Sequence, residues 1–196
     1  MKDNKKAMSD RLMAFWQIKG KKSMKKRVLV VVDYQKDFVD GALGFNGAET
    51  LEKPILNRIE DYLVRGDEVI YTLDTHLKNY LETTEGKHLP IEHCILETEG
   101  HGLYGGLKEA LKEKKSFLKY TFGSMALGRY LEENHFEEVE FCGLVSNICV
   151  LSNMVIAKAA SPESTIFVNR KLTGSFDETM QEKAFDILKN LHMQVI

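Results

Sequence analysis

Apolar residues along the chain follow two patterns, short uninterrupted runs and longer stretches with a helical period. The run from Arg27 to Tyr34 is rich in valine, as expected for a central parallel strand that is buried on both faces. The stretch from Glu49 to Arg65 places its apolar residues three or four positions apart, which predicts an amphipathic helix, and Gly66 is suited to end it. A buried strand followed by a helix is therefore expected at the start of the fold.

The same two patterns continue to the C-terminus. Strand-type runs predict further strands at Asp67–Leu73, Ser116–Tyr120, Val139–Leu144, Ser164–Asn169 and Met193–Ile196. Helical periods predict further helices at Leu103–Lys115, Ser124–Asn134, Cys149–Ala160 and Asp177–Leu191. Residues 75–102 have no clear period, and a connection of that length in a compact domain usually carries function.

Strands that alternate with helices predict an α/β fold, a single-domain, doubly wound and mostly parallel sheet with a layer of helices on each face. Ligands of such sheets bind outside the carboxyl ends of the strands. Polar or reactive groups lie at several predicted strand ends, namely Asp33, Asp74, Lys119 and the turn 143–149. We therefore expect a functional site at that edge of the sheet.

Length and composition are those of one globular domain. The chain has 196 residues, of which 43% are hydrophobic, and a formal net charge of -2, so neither nucleic acid nor an anionic membrane is expected as a partner. No run approaches the ~20 apolar residues that span a bilayer. Three cysteines without a signal peptide favour a reduced, cytoplasmic setting.

The first 24 residues differ from the remainder because they are strongly basic. Their large apolar residues could line one side of a short helix that begins after Ser9 or Asp10. We therefore predict a basic, helical N-terminal arm at residues 1–24, followed by a folded domain at residues 25–196.

Cys149 is the first candidate for chemistry because it lies where a strand gives way to a helix. Backbone N–H groups at a helix N-terminus favour thiolate over thiol, although a buried cysteine can also simply fill space, as Cys94 and Cys142 are expected to do. Asp33 could take the thiol proton, and Lys119 could stabilise negative charge. Taken singly, these two residues could equally be a loop-capping carboxylate and a solvated lysine.

The segment Asp74-Thr75-His76 suggests a second kind of chemistry. Residues two apart at a strand end point in the same direction, so Asp74 and His76 could bind one cation together. His93 could add a second imidazole, and either Glu85 or Glu82 a further oxygen. Mixed histidine and carboxylate ligands suit zinc, iron or manganese.

These residues together resemble a known family. From about Lys25 to the C-terminus, the chain is similar to the isochorismatase-like cysteine hydrolases, and within them most similar to the nicotinamidases. Four motifs support this resemblance: DYQKDF, DTH with the later HLPIEHC, KYTFGS, and GLVSNICV. The resemblance implies that Asp33, Lys119 and Cys149 are catalytic. It also implies a substrate-stacking ring at Phe38 and a divalent metal, with zinc as the first choice, held by Asp74, His76 and His93.

The implied reaction is hydrolysis of nicotinamide to nicotinate and ammonia through a thioester on Cys149. A cis peptide bond between Leu144 and Val145 would turn the Val145 N–H toward that of Cys149 and form an oxyanion hole. The resemblance also implies a homo-oligomer. Two alternatives remain: a metal-independent hydrolase of another small amide, ureido compound or vinyl ether, and a non-catalytic binding module.

The sequence departs from the nicotinamidase pattern at two points. Many nicotinamidases have an aromatic residue where this chain has Leu89, so Tyr120 or Phe122 is expected to complete the wall of the substrate pocket. A second histidine often follows the DTH segment closely, and here Glu85 is expected to replace it as a metal ligand.

Overall fold

The structure is a computed structural model that describes residues 26–196, so the arm predicted at residues 1–24 lies outside the described residues. The strands are β1 (Arg27–Val32), β2 (Glu68–Asp74), β3 (Lys115–Lys119), β4 (Glu138–Leu144), β5 (Thr165–Gly174) and β6 (Gln194–Val195). They form one sheet in the order β3-β2-β1-β4-β5-β6, and every neighbouring pair is parallel. The predicted doubly wound sheet is confirmed.

Helices connect the strands. They are α1 (Lys36–Val39), α2 (Glu52–Val64), α3 (Thr84–His88), α4 (Leu107–Ala110), α5 (Met125–Asn134), α6 (Leu151–Ala160) and α7 (Glu178–Asn190). Shorter helical turns occur at Ala48–Leu51, Tyr80–Glu82 and Ser146–Val150. None of the helices in the described part of the chain is long and apolar enough to cross a membrane.

The core lies on both faces of β1, whose residues from Val28 onward are fully buried. Alternate β1 side chains point to opposite faces, as the pleat of a strand requires. One set, with Val30 at its centre, packs against α5, α6 and α7, and the other, with Val31, packs against α2. The three-layer arrangement therefore follows from burial of one valine-rich strand on both sides.

A buried charged group joins α2 to the sheet. Glu140 points from β4 into the layer between sheet and helix and is fully buried. Its carboxylate accepts hydrogen bonds from the Arg58 guanidinium, at 2.6 Å from Nη2, and from the Tyr62 hydroxyl at 2.7 Å. A carboxylate in an apolar layer requires partners of this kind, because an unpaired buried charge is costly.

Three predicted elements differ from those observed. The strand predicted at Ser164–Asn169 continues to Gly174 as β5. The helix predicted at Leu103–Lys115 is a single turn, α4. The apolar period there comes from only two buried leucines, Leu107 and Leu111. Lys115 already belongs to the sheet, where it pairs with Ile70. The last helix before β5 was predicted to begin at Cys149, whereas α6 begins at Leu151 after the π-type turn Ser146–Val150.

The turn after β4 contains the other departure. The turn expected at 143–149 begins later, because Gly143 lies within β4, at a φ of 101°. A Cβ atom there would be 2.0 Å from the Val32 carbonyl oxygen, so only glycine allows β1 and β4 to approach this closely. The next peptide bond, between Leu144 and Val145, is cis, as the family resemblance implied.

Candidate active site

Four buried side chains with charged or reactive groups lie at the carboxyl edge of the sheet, each at the end of a different strand. Asp33 follows β1, Asp74 ends β2, Lys119 ends β3, and Cys149 lies in the turn after β4. All four are nearly or fully buried. Parallel strands bring their carboxyl ends to one edge, which is why residues so distant in sequence meet there.

Lys119 contacts the other three. Its Nζ lies 2.7 Å from Asp33 Oδ2, 2.9 Å from Asp74 Oδ1 and 3.5 Å from Cys149 Sγ. Burial lowers the pKa of the Lys119 ammonium, but the negative charges of Asp33, Cys149 and Asp74 outweigh burial and hold its pKa well above the ordinary value. The lysine is therefore a buried cation rather than a solvated surface residue.

Burial acts on the pKa values of Asp33 and Cys149 in the same direction. Burial raises the pKa of the Asp33 carboxyl against the opposing charge of Lys119, and burial likewise raises the pKa of the Cys149 thiol well above its usual range. The expectation that a helix N-terminus would favour the thiolate is wrong, because α6 begins at Leu151 and desolvation dominates. A base is therefore needed to remove the thiol proton.

A second group lies beside the first. The ligand-type atoms of Asp74, His76, Glu85 and His93 all lie within 4.8 Å of one another. His76 Nε2 is 3.0 Å from Asp74 Oδ2 and 3.7 Å from Glu85 Oε1, and His93 Nε2 is 3.5 Å and 3.8 Å from the same two oxygens. Of the two glutamates left open by the sequence, Glu85 joins this group and Glu82 is exposed.

The orientation of the histidines suits a cation. His93 Nδ1 lies 2.8 Å from the Ile91 carbonyl, so Nδ1 carries the proton and Nε2 faces the group. Burial would raise the pKa of Asp74, but hydrogen bonds from His76 and His93 and the charge of Lys119 hold it below its ordinary value. An ionised carboxylate, a second carboxylate and two imidazoles are a donor set that fits a divalent metal such as zinc.

Two residues that sequence reasoning did not assign support these groups. The Gln35 amide donates to the backbone carbonyls of Asp74 and His101, at 2.9 Å and 2.8 Å, and its oxygen accepts the Asp74 N–H at 2.7 Å. Asp37 accepts the Cys94 N–H at 2.7 Å, next to His93. Both belong to the DYQKDF motif, and its polar residues at alternate positions were the signal available in the sequence.

A cavity of about 390 Å³ opens above these side chains. It is bordered by the polar or reactive residues Cys149, Asp74, Glu85 and His93. It is also bordered by three residues that the sequence analysis suggested as substrate contacts, Phe38, Leu89 and Phe122, and by Val145, the suggested oxyanion donor. Tyr120 is 67% exposed and lines a neighbouring cavity together with His76. Lining residues that the sequence analysis did not identify are Ala42, Leu43, Gly44, Ile148 and Phe176.

The chain is similar to known proteins over the whole described domain. Its residues 27–196 match the model of the Isochorismatase domain family. It is 30% identical to "Uncharacterized isochorismatase family protein PncA" of Bacillus subtilis (strain 168), over 78% of this chain and 88% of that protein.

Solved structures have the same fold. The nicotinamidase/pyrazinamidase PncA from Bacillus subtilis superposes with a TM-score of 0.78 at 27% identity, covering 87% of this chain and 98% of the other. The pyrazinamidase of Pyrococcus horikoshii in complex with zinc gives 0.76 at 21% identity, covering 87% and 98%. The family model and the Bacillus relative together establish that this chain belongs to the isochorismatase family of hydrolases.

Proposed function

We propose that this amidohydrolase cleaves nicotinamide to nicotinate and ammonia through a thioester on Cys149. The observation that carries the proposal is the contact of Lys119 with both Asp33 and Cys149, together with the position of Cys149 in the lining of a mostly apolar cavity. A thiol, a carboxylate and a buried cation are the groups that nucleophilic acyl transfer requires. The similarity to a nicotinamidase/pyrazinamidase structure supports the choice of an aromatic amide.

In the first half-reaction, Asp33 accepts the proton of the Cys149 thiol as the sulfur attacks the amide carbonyl carbon. The raised pKa of Asp33 makes its carboxylate a stronger base than an exposed aspartate. The backbone N–H groups of Val145 and Cys149 would stabilise the negative oxygen of the tetrahedral intermediate. The C–N bond then breaks, and Asp33 returns the proton to the leaving ammonia.

The second half-reaction hydrolyses the thioester. A water molecule gives a proton to Asp33 and attacks the same carbonyl carbon, the C–S bond breaks, and the proton passes to the Cys149 sulfur. Lys119 keeps its charge throughout and stabilises whichever neighbour is negative. The products are nicotinate and the free enzyme.

Asp74, His76, Glu85 and His93 would hold a divalent metal, for which zinc is the first choice and iron or manganese are alternatives. When bound there, the ion supplies a Lewis-acidic position that can hold the ring nitrogen of the substrate. Asp74 and His93 border the cavity at that position. Phe38 lies beside them, with its ring centroid 5.6 Å from that of His93, and would stack against the substrate ring.

The test is ammonia release from nicotinamide by the wild type and by two cysteine variants, with metal content measured on the same samples. Cys149→Ala should reduce turnover at least about a thousandfold, while the matched variant Cys142→Ala, which removes another buried thiol, should retain it. Mass spectrometry of the acid-quenched wild type should detect a nicotinoyl adduct on Cys149. Turnover by Cys149→Ala near the wild-type rate would refute the covalent mechanism.

Leu89 favours one alternative substrate class. It stands in the cavity wall where many nicotinamidases have an aromatic residue, which leaves less aromatic contact for a pyridine ring. A protein without bound metal that does not cleave nicotinamide, but whose Cys149 still reacts with thiol reagents, would favour hydrolysis of another small amide or ureido compound.

A further inference from the structure

The cavity is larger than one aromatic ring requires. A cavity of about 150 Å³ lined by apolar side chains already accepts benzene. The cavity above Cys149 has a volume of about 390 Å³. A pyridine ring with its carboxamide would therefore leave a substantial part of this space unfilled.

The sheet order shows in which direction the spare space extends. Asp74 and His93 border the cavity near the end of β2, whereas Phe176 borders it just after β5. Two strands, β1 and β4, lie between β2 and β5. At about 4.8 Å between neighbouring strands, the cavity spans roughly 14 Å across the sheet edge.

The end of the cavity near β5 is apolar. Ala42, Leu43, Gly44 and Phe176 border it, and none of these described residues carries a charge. Phe176 is 64% exposed, yet its ring makes an edge-to-face contact with Phe45 at 6.4 Å between centroids. An exposed aromatic side chain at a cavity mouth gains most from burial when an apolar group of a ligand covers it.

We propose that Ala42, Leu43, Gly44 and Phe176 form a subsite for an apolar substituent on the ring of the substrate. The substrate class is then aryl carboxamides that carry a small apolar group, or a second ring, on the ring edge facing β5. The amide chemistry rests on the proposed function, and the bond that is cleaved is the same. Phe176 is the specificity-determining residue of this subsite, and Leu43 contributes to its wall.

The first test compares nicotinamide with derivatives that carry a methyl or phenyl group on the ring carbon meta to both the nitrogen and the carboxamide. Each buried methyl-sized group should raise kcat/KM about fourfold. Phe176→Ala removes a wall of the subsite, and Ala42→Phe fills its space. In both variants, kcat/KM for the phenyl derivative, divided by kcat/KM for nicotinamide, should fall at least fivefold. Met180→Ala alters an exposed apolar residue of α7 outside the cavity and should leave the ratio unchanged.

A second measurement separates the subsite from the reaction. Each amide is used to protect Cys149 from iodoacetamide, a measure of site occupancy that does not require the amide to be hydrolysed. If nicotinamide is not hydrolysed, the proposed function fails, but the phenyl derivative should still protect Cys149 at a lower concentration than nicotinamide. Weaker protection by the phenyl derivative in the wild type, or equal ratios in wild type, Phe176→Ala and Ala42→Phe, would overturn the subsite.

Discussion

The Asp74 carboxylate divides its two oxygens between two groups of the site. Oδ1 accepts a hydrogen bond from Lys119, and Oδ2 faces the Nε2 atoms of His76 and His93. The Gln35 side chain holds the Asp74 backbone in place with two hydrogen bonds, one to the Asp74 carbonyl and one from the Asp74 N–H. Asp74 therefore connects the metal-type group to Lys119, whose Nζ lies 3.5 Å from Cys149 Sγ.

This division separates the expected effects of two substitutions. Asp74→Asn and His93→Ala should both lower metal content, measured as metal per chain after gel filtration. Excess zinc should restore part of the ammonia release in His93→Ala, but little in Asp74→Asn, because that variant also loses the charge that holds Lys119. Full recovery of Asp74→Asn with zinc would show that its contact with Lys119 is dispensable.

The desolvated thiol predicts an alkaline reactivity profile for the resting enzyme. Because burial raises the pKa of Cys149, and only the thiolate reacts with iodoacetamide, the alkylation rate should be low near neutral pH. It should still rise above the ordinary cysteine pKa of about 8.5. Labelling of Cys149 followed by mass spectrometry between about pH 6 and pH 10 measures this. A rate that is already constant below neutral pH would mean that the thiolate forms before substrate binds.

The residues with chemistry of their own were accessible from the sequence, and the residues that position them were less so. Asp33, Lys119 and Cys149 stood out because each is polar or reactive at the end of a predicted strand. Gln35 was not assigned, because the alternate polar positions of the DYQKDF motif mark it as a candidate without showing that its amide bonds to the backbone of Asp74 and His101. Phe176 lies in a connection with no period, so only the three-dimensional structure assigns it to the cavity.

At the scale of elements, the link between α2 and β4 rests on Glu140, Arg58 and Tyr62. Removing one charge from a buried ion pair leaves the other without compensation, which usually costs about 3 to 5 kcal/mol. The pair therefore fixes how α2 lies on the sheet, at the cost of a strict dependence on both partners.

Arg58→Met should accordingly lower the free energy of unfolding by about 3 kcal/mol. The double variant Arg58→Met/Glu140→Gln should recover more than half of that loss, because the remaining amide is neutral and can still bond to Tyr62. Urea unfolding at neutral pH measures both. Lys189→Met is the control, since Lys189 pairs with Asp186 at the surface and such pairs contribute at most about 1 kcal/mol. Equal losses in the single and double variants would contradict this view of the pair.

Strand and helix order could be predicted because burial imposes a period on the sequence, as in β1 and α2. The predicted ends of elements were wrong where an interaction other than burial determined where the element begins or ends. Leu107 and Leu111 suggested a long helix, but the chain from Lys115 onward pairs with β2 in the sheet instead. The π-type turn after β4 has no sequence period of its own, so the start of α6 was placed two residues too early.

At the scale of the whole molecule, the described chain enters β1 at the end opposite the candidate site. Lys26 precedes the strand and Asp33 follows it, which separates them by about 20 Å. The side chains of the candidate site all lie within the family match that starts at residue 27. The arm is therefore not expected to take part in the chemistry.

A chain that starts at Met24 should retain ammonia release within about twofold and a Tm within a few degrees of the full chain, because it keeps every core residue that the structure describes. Activity assays and calorimetry measure both quantities, and light scattering on the same samples reports whether the arm contributes to oligomerisation. Loss of hydrolysis on truncation, with the Tm unchanged, would instead assign the arm a role at the site.

The central position of β1 has a consequence for the synthesis of the protein. One edge of β1 pairs with β4, where Arg27 meets Glu138, so this partner follows more than a hundred residues later in the chain. At a synthesis rate of roughly 5 to 20 residues per second, that partner emerges about 6 to 22 seconds after β1 itself. During this interval a valine-rich strand has an unpaired edge, the arrangement most prone to associate with other chains. The yield of folded enzyme should therefore depend on translation speed and on chaperones that cover β1 until β4 arrives.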